Sequence, residues 1–171
     1  MSHVDAAFRH REYVCRTEFV EFLADELLTD LCEAGWTTGD DVLLAGVSLS
    51  GLAVLHAAKL RPDSFPRVLA FSPSAWWNDE WLAGQIAAGP DLPIRVFTDV
   101  GDEENESGVV HPPGNLEQKV TQRESCRRLA DALEGKARAV SFGEYAGGHA
   151  MECWRAELPD ALRWLYEISE S

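Results

Sequence analysis

The sequence predicts an α/β fold in three layers, with a mostly parallel sheet between helices. Two observations support this prediction: apolar runs typical of strands alternate with helical patterns along the chain, and there are no internal repeats or low-complexity segments. Strands that alternate with helices form parallel sheets through right-handed crossovers. The length of 171 residues indicates one domain over residues 1–171.

In the first part of the chain, two predicted helices flank the first strand. Apolar residues recur at steps of three and four over residues 17–34, which predicts an amphipathic helix. Thr17 can cap its start, and Gly35 stands where it ends. The run VLLAGV, residues 42–47, is short and continuously apolar, as expected for a strand buried on both faces. A second helix follows over residues 50–60.

The rest of the chain continues the alternation. The further predicted strands cover residues 67–72, 94–100 and 137–142. The further predicted helices are a short one capped by Asn78, one over residues 116–133, and one over residues 151–168 with a kink or break at Pro159. A polar loop over residues 101–115 is the only long connection. Long loops in compact domains often carry function, so this loop is a candidate for site residues.

Composition excludes several classes of partner. A net charge of −14 argues against nucleic acids and anionic membrane surfaces. No apolar run approaches the roughly 20 residues that a membrane span needs, and residues 1–16 contain no apolar signal core. The four cysteines include no C-x-x-C pair, which argues against zinc and thioredoxin-type sites. Reduced cysteines in a cytoplasmic protein are the simplest expectation.

The sequence GVSLSG follows the first predicted strand and is close to G-x-S-x-G, the nucleophile elbow of serine hydrolases. Gly46 and Ser48 match that pattern, whereas Ser50 occupies the place of the second glycine and Gly51 follows one residue later. Such a turn needs small residues, and Ser50 can replace glycine with little steric penalty. Ser48 is therefore the candidate nucleophile, and the backbone N–H of Leu49 is the candidate oxyanion donor.

Acids and a histidine follow the third and fourth predicted strands. Asp102, Glu103 and Glu104 come after the third strand, and His149 comes after the fourth. Functional residues of open parallel sheets gather at the carboxyl ends of strands, and the order serine, acid, histidine is that of α/β hydrolases. A serine hydroxyl needs an imidazole to take its proton, and the imidazole needs a carboxylate to fix its tautomer. The sequence predicts a triad of Ser48, His149 and one of these acids.

The other histidines fit this pattern less well. His56 lies within a predicted helix, and His111 precedes the last strand, which breaks the order. His3 and His10 lie in the polar start of the chain. A catalytic role is therefore not predicted for these four.

Two segments carry a resemblance to a known family. Residues 46–77 (GVSLSGLAVLHAAKLRPDSFPRVLAFSPSAWW) and 147–155 (GGHAMECWR) are similar to the enterochelin-esterase group of the esterase D-like α/β hydrolases. The resemblance extends over about residues 16–165 and implies cleavage of esters of catecholate siderophores and related compounds. It also implies that the triad acid lies three residues after Gly101, which selects Glu104, with the two preceding acids as alternatives.

The same resemblance implies contacts to a small-molecule ester substrate. Trp76, Trp77 and Trp154 would line an aromatic acyl pocket, and Arg155 would meet an anionic substrate group. Core packing is an equal alternative for the tryptophans, as is a helix-surface position for Arg155. No cofactor or metal is required by this chemistry.

The sequence departs from the family in its first strand. In α/β hydrolases the nucleophile strand is the fifth of eight, whereas here it is the first, so the early strands and the loop with the second oxyanion N–H are expected to be absent. The nucleophile strand would then form an exposed apolar edge, through which the chain could form a homo-oligomer. Loss of one oxyanion donor would lower the rate by roughly 10²–10³. A fragment of a longer hydrolase, a truncated gene model and a short protein completed by a partner are all compatible with this pattern.

The leading hypothesis is a serine esterase that acts through an acyl-enzyme. The alternative is a catalytically impaired hydrolase fragment or a non-catalytic, partner-binding α/β module. The same triad could also transfer the acyl group to an alcohol or a thiol.

Overall fold

Four parallel strands form the central sheet. The computed structural model describes residues 6–39, 41–111 and 116–167. The strands of the sheet are β1 (Leu43–Val47), β2 (Arg67–Phe71), β3 (Leu92–Gly101) and β6 (Ala137–Tyr145), paired in the order β1-β2-β3-β6. Two short strands, β4 (Val109–His111) and β5 (Leu116–Gln118), form a separate antiparallel pair.

Helices precede or follow each strand of the central sheet. They are α1 (Ala6–Tyr13), α2 (Thr17–Glu21), α3 (Leu28–Glu33), α4 (Leu49–Leu60), α5 (Trp77–Ala87), α6 (Gln122–Glu134) and α7 (Met151–Leu165), with a π-helical segment, Phe22–Leu27, between α2 and α3. Within the described residues, every helix is too short or too polar to span a membrane.

Successive side chains of the central strands face two different helical layers. Val68 of β2 is fully buried against the layer that contains α4, α5 and α6, whereas its neighbour Leu69 is buried on the opposite side against α7. This alternation follows from the two-residue period of a strand. The prediction of an α/β fold with a mainly parallel sheet is confirmed, and the carboxyl ends of β1, β2, β3 and β6 lie at one edge of that sheet.

Strand β1 forms an edge of the sheet. Among the described strands it pairs only with β2, and its residues are half-buried except for Ala45, which is exposed. The prediction that residues 42–47 are buried on both faces was therefore wrong, because no second strand flanks β1 within the described chain. The predicted exposed apolar edge is confirmed.

The helix predicted over residues 116–133 begins later than expected. Residues 116–118 form β5, and α6 starts after Thr121, whose side chain accepts from the backbone N–H of Glu124 in a capping box. The predicted loop over residues 101–115 contains β4, and residues 112–115 lie outside the described chain. The capping box, rather than the apolar pattern, sets the start of this helix.

Two predicted helix signals act differently from expectation. Asn78 does not cap α5: the cap is Trp76, without a side-chain hydrogen bond, and Asn78 has a φ of 51°. Pro159 does not break α7, which continues through it to Leu165. Helix α1 had no counterpart in the prediction, since its sequence carries no clear apolar stripe.

Candidate active site

The turn from β1 into α4 holds Ser48 in a strained backbone conformation. Its φ and ψ are 54° and −122°, outside the regions that L-residues favour. The N–H of Ser48 donates to the carbonyl of Phe71 (2.9 Å), and its carbonyl accepts from the N–H groups of Leu52 (3.1 Å) and Ser74 (3.0 Å). Hydrogen bonds on both sides of the residue therefore hold the strained turn.

Small residues surround Ser48 for two separate reasons. A Cβ on Gly46 would collide with the backbone of Ser50, and one on Gly51 would lie 3.1 Å from Pro73 Cα. Ser50 contributes more than small size, because its Oγ accepts from the N–H of Val47 (3.0 Å) and donates to the carbonyl of Val47 (2.7 Å). The serine that departs from G-x-S-x-G thus ties the end of β1 to the start of α4.

Leu49 is the first residue of α4 and lines the same cavity as Ser48. The N–H groups of the first helical turn have no acceptor within their own helix. They also lie at the positive end of the helix dipole. The position of Leu49 therefore suits a backbone donor to a negatively charged oxygen.

Glu104 is the acid that contacts His149. Its Oε2 lies 2.7 Å from Nδ1 of His149, and the side chains of Glu104 and His149 are 4% and 42% exposed. Asp102 instead accepts from the N–H of Gly147 (2.9 Å), and Glu103 is exposed. The loop that follows β3 thus brings the third of its consecutive acids, and not the first two, to the histidine.

The second carboxylate oxygen of Glu104 is saturated by donors. Oε1 accepts from Ser72 Oγ (2.6 Å), the N–H of Gly101 (2.9 Å) and the hydroxyl of Tyr145 (2.9 Å). Burial raises the pKa of Glu104, but hydrogen bonds from His149, Ser72 and Gly101 outweigh it and hold this pKa below its usual value. Glu104 is therefore ionised at neutral pH and accepts from His149 Nδ1–H.

Trp154 donates hydrogen bonds to this network from within the core. Its indole N–H donates to the hydroxyls of Tyr145 (2.9 Å) and Ser72 (3.2 Å), and the ring meets His149 edge-on at 4.9 Å between centroids. Trp154 is buried between α7 and the sheet. Trp154 is not among the residues that line the cavity, and core packing, the alternative to the acyl-pocket role, describes its position.

A cavity of about 450 Å³ opens over Ser48. Ser48, Glu104 and His149 all line it, together with Leu49. Ser48 Oγ lies 3.5 Å from Ser74 Oγ, and no hydrogen bond joins it to His149 in the described structure. Hydrogen bonds between catalytic groups are often long before substrate binds, so a shared cavity is the relevant observation.

Two of the remaining predicted contacts lie away from the cavity. Trp76 lines it, whereas Trp77 packs edge-on against Trp81 (6.1 Å between centroids) and Arg155 is exposed on α7. Core packing for Trp77 and a helix-surface position for Arg155, the alternatives to substrate contact, describe where these two residues lie.

Six polar residues of the cavity wall were not predicted from the sequence: His10, Ser74, Glu106, His111, Gln118 and Gln122. Gln122 at the start of α6 donates to the carbonyls of Ser72 (2.6 Å) and Pro73 (2.7 Å) and so holds the loop after β2. His10 and His111 also line the cavity. Neither histidine fits the order serine, acid, histidine along the strands, and no local sequence signal predicts that they line this cavity.

The described residues contain no group of three or more His, Cys, Asp or Glu side chains arranged to hold a metal ion.

Comparisons with known proteins agree on one family. The chain is 30% identical over 169 residues to an iron(III) enterobactin esterase of Dickeya dadantii, and 27% identical over 165 residues to an iron(III) salmochelin esterase of Escherichia coli. These matches cover 95% and 86% of the chain but only 38% and 37% of the relatives. The chain thus spans less than two fifths of the length of these curated relatives.

A solved structure shows the same fold. The enterobactin esterase of Shigella flexneri superposes with a TM-score of 0.79 at 24% identity, over 96% of this chain and 42% of that one. The Esterase family model matches residues 3–165, which is most of the chain. The chain therefore belongs to the Esterase family.

Proposed function

We propose that the protein is a serine esterase that cleaves a carboxylic ester through an acyl-enzyme. One observation carries this proposal: Ser48, on a strained elbow, shares a cavity with a histidine whose Nδ1 lies 2.7 Å from a buried carboxylate. A strained serine at a strand-to-helix turn is exposed for attack, and the carboxylate fixes the tautomer in which the other ring nitrogen is a free base.

The steps follow from the positions of these groups. Ser48 Oγ attacks the ester carbonyl carbon while its proton passes to Nε2 of His149, and Glu104 stabilises the imidazolium through Nδ1–H. The N–H of Leu49 donates to the oxyanion of the tetrahedral intermediate. The intermediate collapses, His149 returns the proton to the departing alkoxide, and an acyl group remains on Ser48. Water, deprotonated by His149, attacks the acyl carbon, and the bond to Ser48 Oγ breaks as His149 returns the proton to that oxygen and the acid leaves.

The substrate class that we propose comes from the relatives. Two of them carry the names of enterobactin and salmochelin esterases, and one solved structure is of an enterobactin esterase. We propose a siderophore ester of this kind for this chain, with Trp76 as the aromatic residue of the cavity wall. Hydrolysis is favoured over transfer to an alcohol or a thiol by the esterase names of these relatives.

The test is reaction with a fluorophosphonate, which forms a stable adduct with an activated serine. We expect a single adduct on Ser48 that is lost in Ser48→Ala and slowed in His149→Ala. Ser74→Ala is the matched control, because Ser74 is another cavity serine whose Oγ lies 3.5 Å from Ser48 Oγ; it should keep the adduct. Well-folded protein that takes no label would refute the proposal.

A second candidate function rests on the edge strand β1. Its apolar residues are half-buried, and one of its edges is unpaired within the described residues, which suits pairing with a second copy of the chain in a non-catalytic module. Light scattering after size-exclusion separates the two candidates. A stable oligomer without fluorophosphonate labelling favours the module, whereas a labelled monomer excludes it.

A further inference from the structure

The cavity has a second polar wall that the proposed mechanism does not use. His10 of α1 and His111 of β4 line it. The imidazole of His111 is stacked on Trp76, with 4.8 Å between ring centroids and 16° between planes. The orientation of the His111 ring is therefore fixed by packing before any ligand binds.

Hydrogen bonds fix the tautomer of His111. The amide nitrogen of Gln118 donates to the carbonyl of Glu106 (3.0 Å), so the amide oxygen of Gln118 is the atom that faces His111 Nε2 at 3.0 Å. An amide oxygen only accepts, so Nε2 of His111 carries the proton. In the neutral imidazole, Nδ1 of His111 is then the nitrogen that accepts a hydrogen bond.

The uncharged form of His10 predominates at neutral pH. Burial is the main cause, because it lowers the pKa of His10 from its ordinary value. Nδ1 of His10 is buried and has no hydrogen-bond partner among the described residues. A ligand therefore reaches the other ring nitrogen, Nε2, which accepts a hydrogen bond when the proton is on Nδ1.

The charges around this wall oppose an anion. Glu103, Glu104 and Glu106 line the cavity, and no lysine or arginine does so in the described part of the chain. Arg9 lies beside His10 in sequence, but its guanidinium sits over the ring of Tyr13 at 5.9 Å. Carboxylates close to a ligand disfavour negative charge on it and leave uncharged donors as the better partners.

We propose that His10 and His111 form a hydrogen-bond-accepting subsite for an uncharged hydroxyl group of the ester substrate. This proposal rests on the proposed esterase function and adds to it, because the subsite determines which esters the cavity binds best. It predicts that hydroxyl-bearing esters are preferred over unsubstituted ones, and that esters with a carboxylate at the same place are disfavoured.

A matched series of esters tests the subsite at pH 7.5. The series is phenyl benzoate, phenyl 3-hydroxybenzoate, 3-hydroxyphenyl benzoate and the phenyl monoester of isophthalic acid. The hydroxyl lies on the acyl side in one compound and on the alcohol side in another. We expect one of these two to exceed phenyl benzoate in kcat/KM by about tenfold or more, and the carboxylate ester to be the poorest substrate.

The variants are His10→Phe and His111→Phe. Phenylalanine at 111 can still stack on Trp76 but cannot accept a hydrogen bond. In each variant, the ratio of kcat/KM between the hydroxylated and the unsubstituted ester should fall towards one. The two esters are compared within each variant, so a loss of activity that affects both esters equally leaves the ratio of their kcat/KM values unchanged. Glu106→Gln should narrow the gap between the carboxylate ester and phenyl benzoate, because it removes one negative charge from the wall.

Binding separates failure of the subsite from failure of the esterase. Ser48→Ala protein is titrated with methyl 3-hydroxybenzoate and methyl benzoate and followed by NMR. Tighter binding of the hydroxylated ester, lost in Ser48→Ala combined with His111→Phe, supports the subsite even if the wild-type protein hydrolyses nothing. Equal affinities together with equal kcat/KM values across the series, or a ratio that survives in both histidine variants, would overturn it.

Discussion

Replacement of Glu104 by glutamine tests the acid of the proposed triad. Oε1 of Glu104 accepts from Ser72, Gly101 and Tyr145, so the amide oxygen of a glutamine would take that side. The amide NH₂ would then face Nδ1 of His149 in place of Oε2. Two N–H groups cannot share one hydrogen bond, so His149 would adopt the tautomer with its proton on Nε2.

The expected loss follows from that tautomer. With a proton already on Nε2, His149 cannot take the proton of Ser48, and the same amide substitution in a Ser-His-Asp triad lowers kcat by about 10⁴. Glu103→Gln is the matched control, because it removes the same charge from the adjacent, exposed cavity residue. We expect it to change kcat by less than about threefold, since exposed charges act weakly.

Steady-state hydrolysis of phenyl benzoate by the two variants provides the assay, with circular dichroism to show that both are folded. A loss of about 10³-fold or more in Glu104→Gln alone is the predicted outcome. The reasoning is refuted if Glu103→Gln is the inactive variant, or if Glu104→Gln retains wild-type kcat.

Three further predictions concern stability. Asp99 is buried without hydrogen-bond partners for its carboxylate among the described residues, and burial, then neighbouring glutamates, raise its pKa to about 8. Its ionisation therefore destabilises the fold as pH rises from about 4 towards 8. In urea titrations, the free energy of unfolding of Asp99→Asn should rise relative to that of the wild type by up to about 1.4 kcal/mol per pH unit. Gly46→Ala should lower the free energy of unfolding by more than about 2 kcal/mol, because its Cβ would collide with the Ser50 backbone. Gly84→Ala in α5, where a Cβ meets open space, should raise it by about 0.5–1 kcal/mol, and thermal melts compare the two variants. Ser50→Ala removes two hydrogen bonds to Val47 and should lower the free energy of unfolding by about 1–2 kcal/mol; an unchanged melting temperature would contradict that role.

The sheet and the candidate triad were predictable because their signals are local. The strands and helices carry apolar patterns within single segments, and Ser48, Glu104 and His149 follow strand ends, which parallel pairing brings to one edge. The choice of Glu104 over its neighbours came from family resemblance. The structure gives the physical reason: the loop after β3 approaches the loop before α7 closely, and a Cβ on Gly101 would collide with the carbonyl of Gly147.

The missed features depend on contacts between distant segments. Strands β4 and β5 have three residues each, too few for a periodic signal, and their pairing brings His111 to Gln118. Whether Trp154 lines the cavity or supports His149 from below depends on how α7 docks on the sheet. No single stretch of sequence encodes that docking, and none predicts that His10 of α1 lines the same cavity as Ser48.

The central claim is that Ser48 carries the acyl group during ester cleavage. Rapid mixing with phenyl benzoate, acid quench and peptide mass spectrometry measure this directly. We predict a burst of phenol that approaches the enzyme concentration, with a benzoyl group on the peptide that contains Ser48 and none in Ser48→Ala. Undiminished turnover of the ester by Ser48→Ala, or a benzoyl group on another residue of the wild-type protein, would contradict the claim.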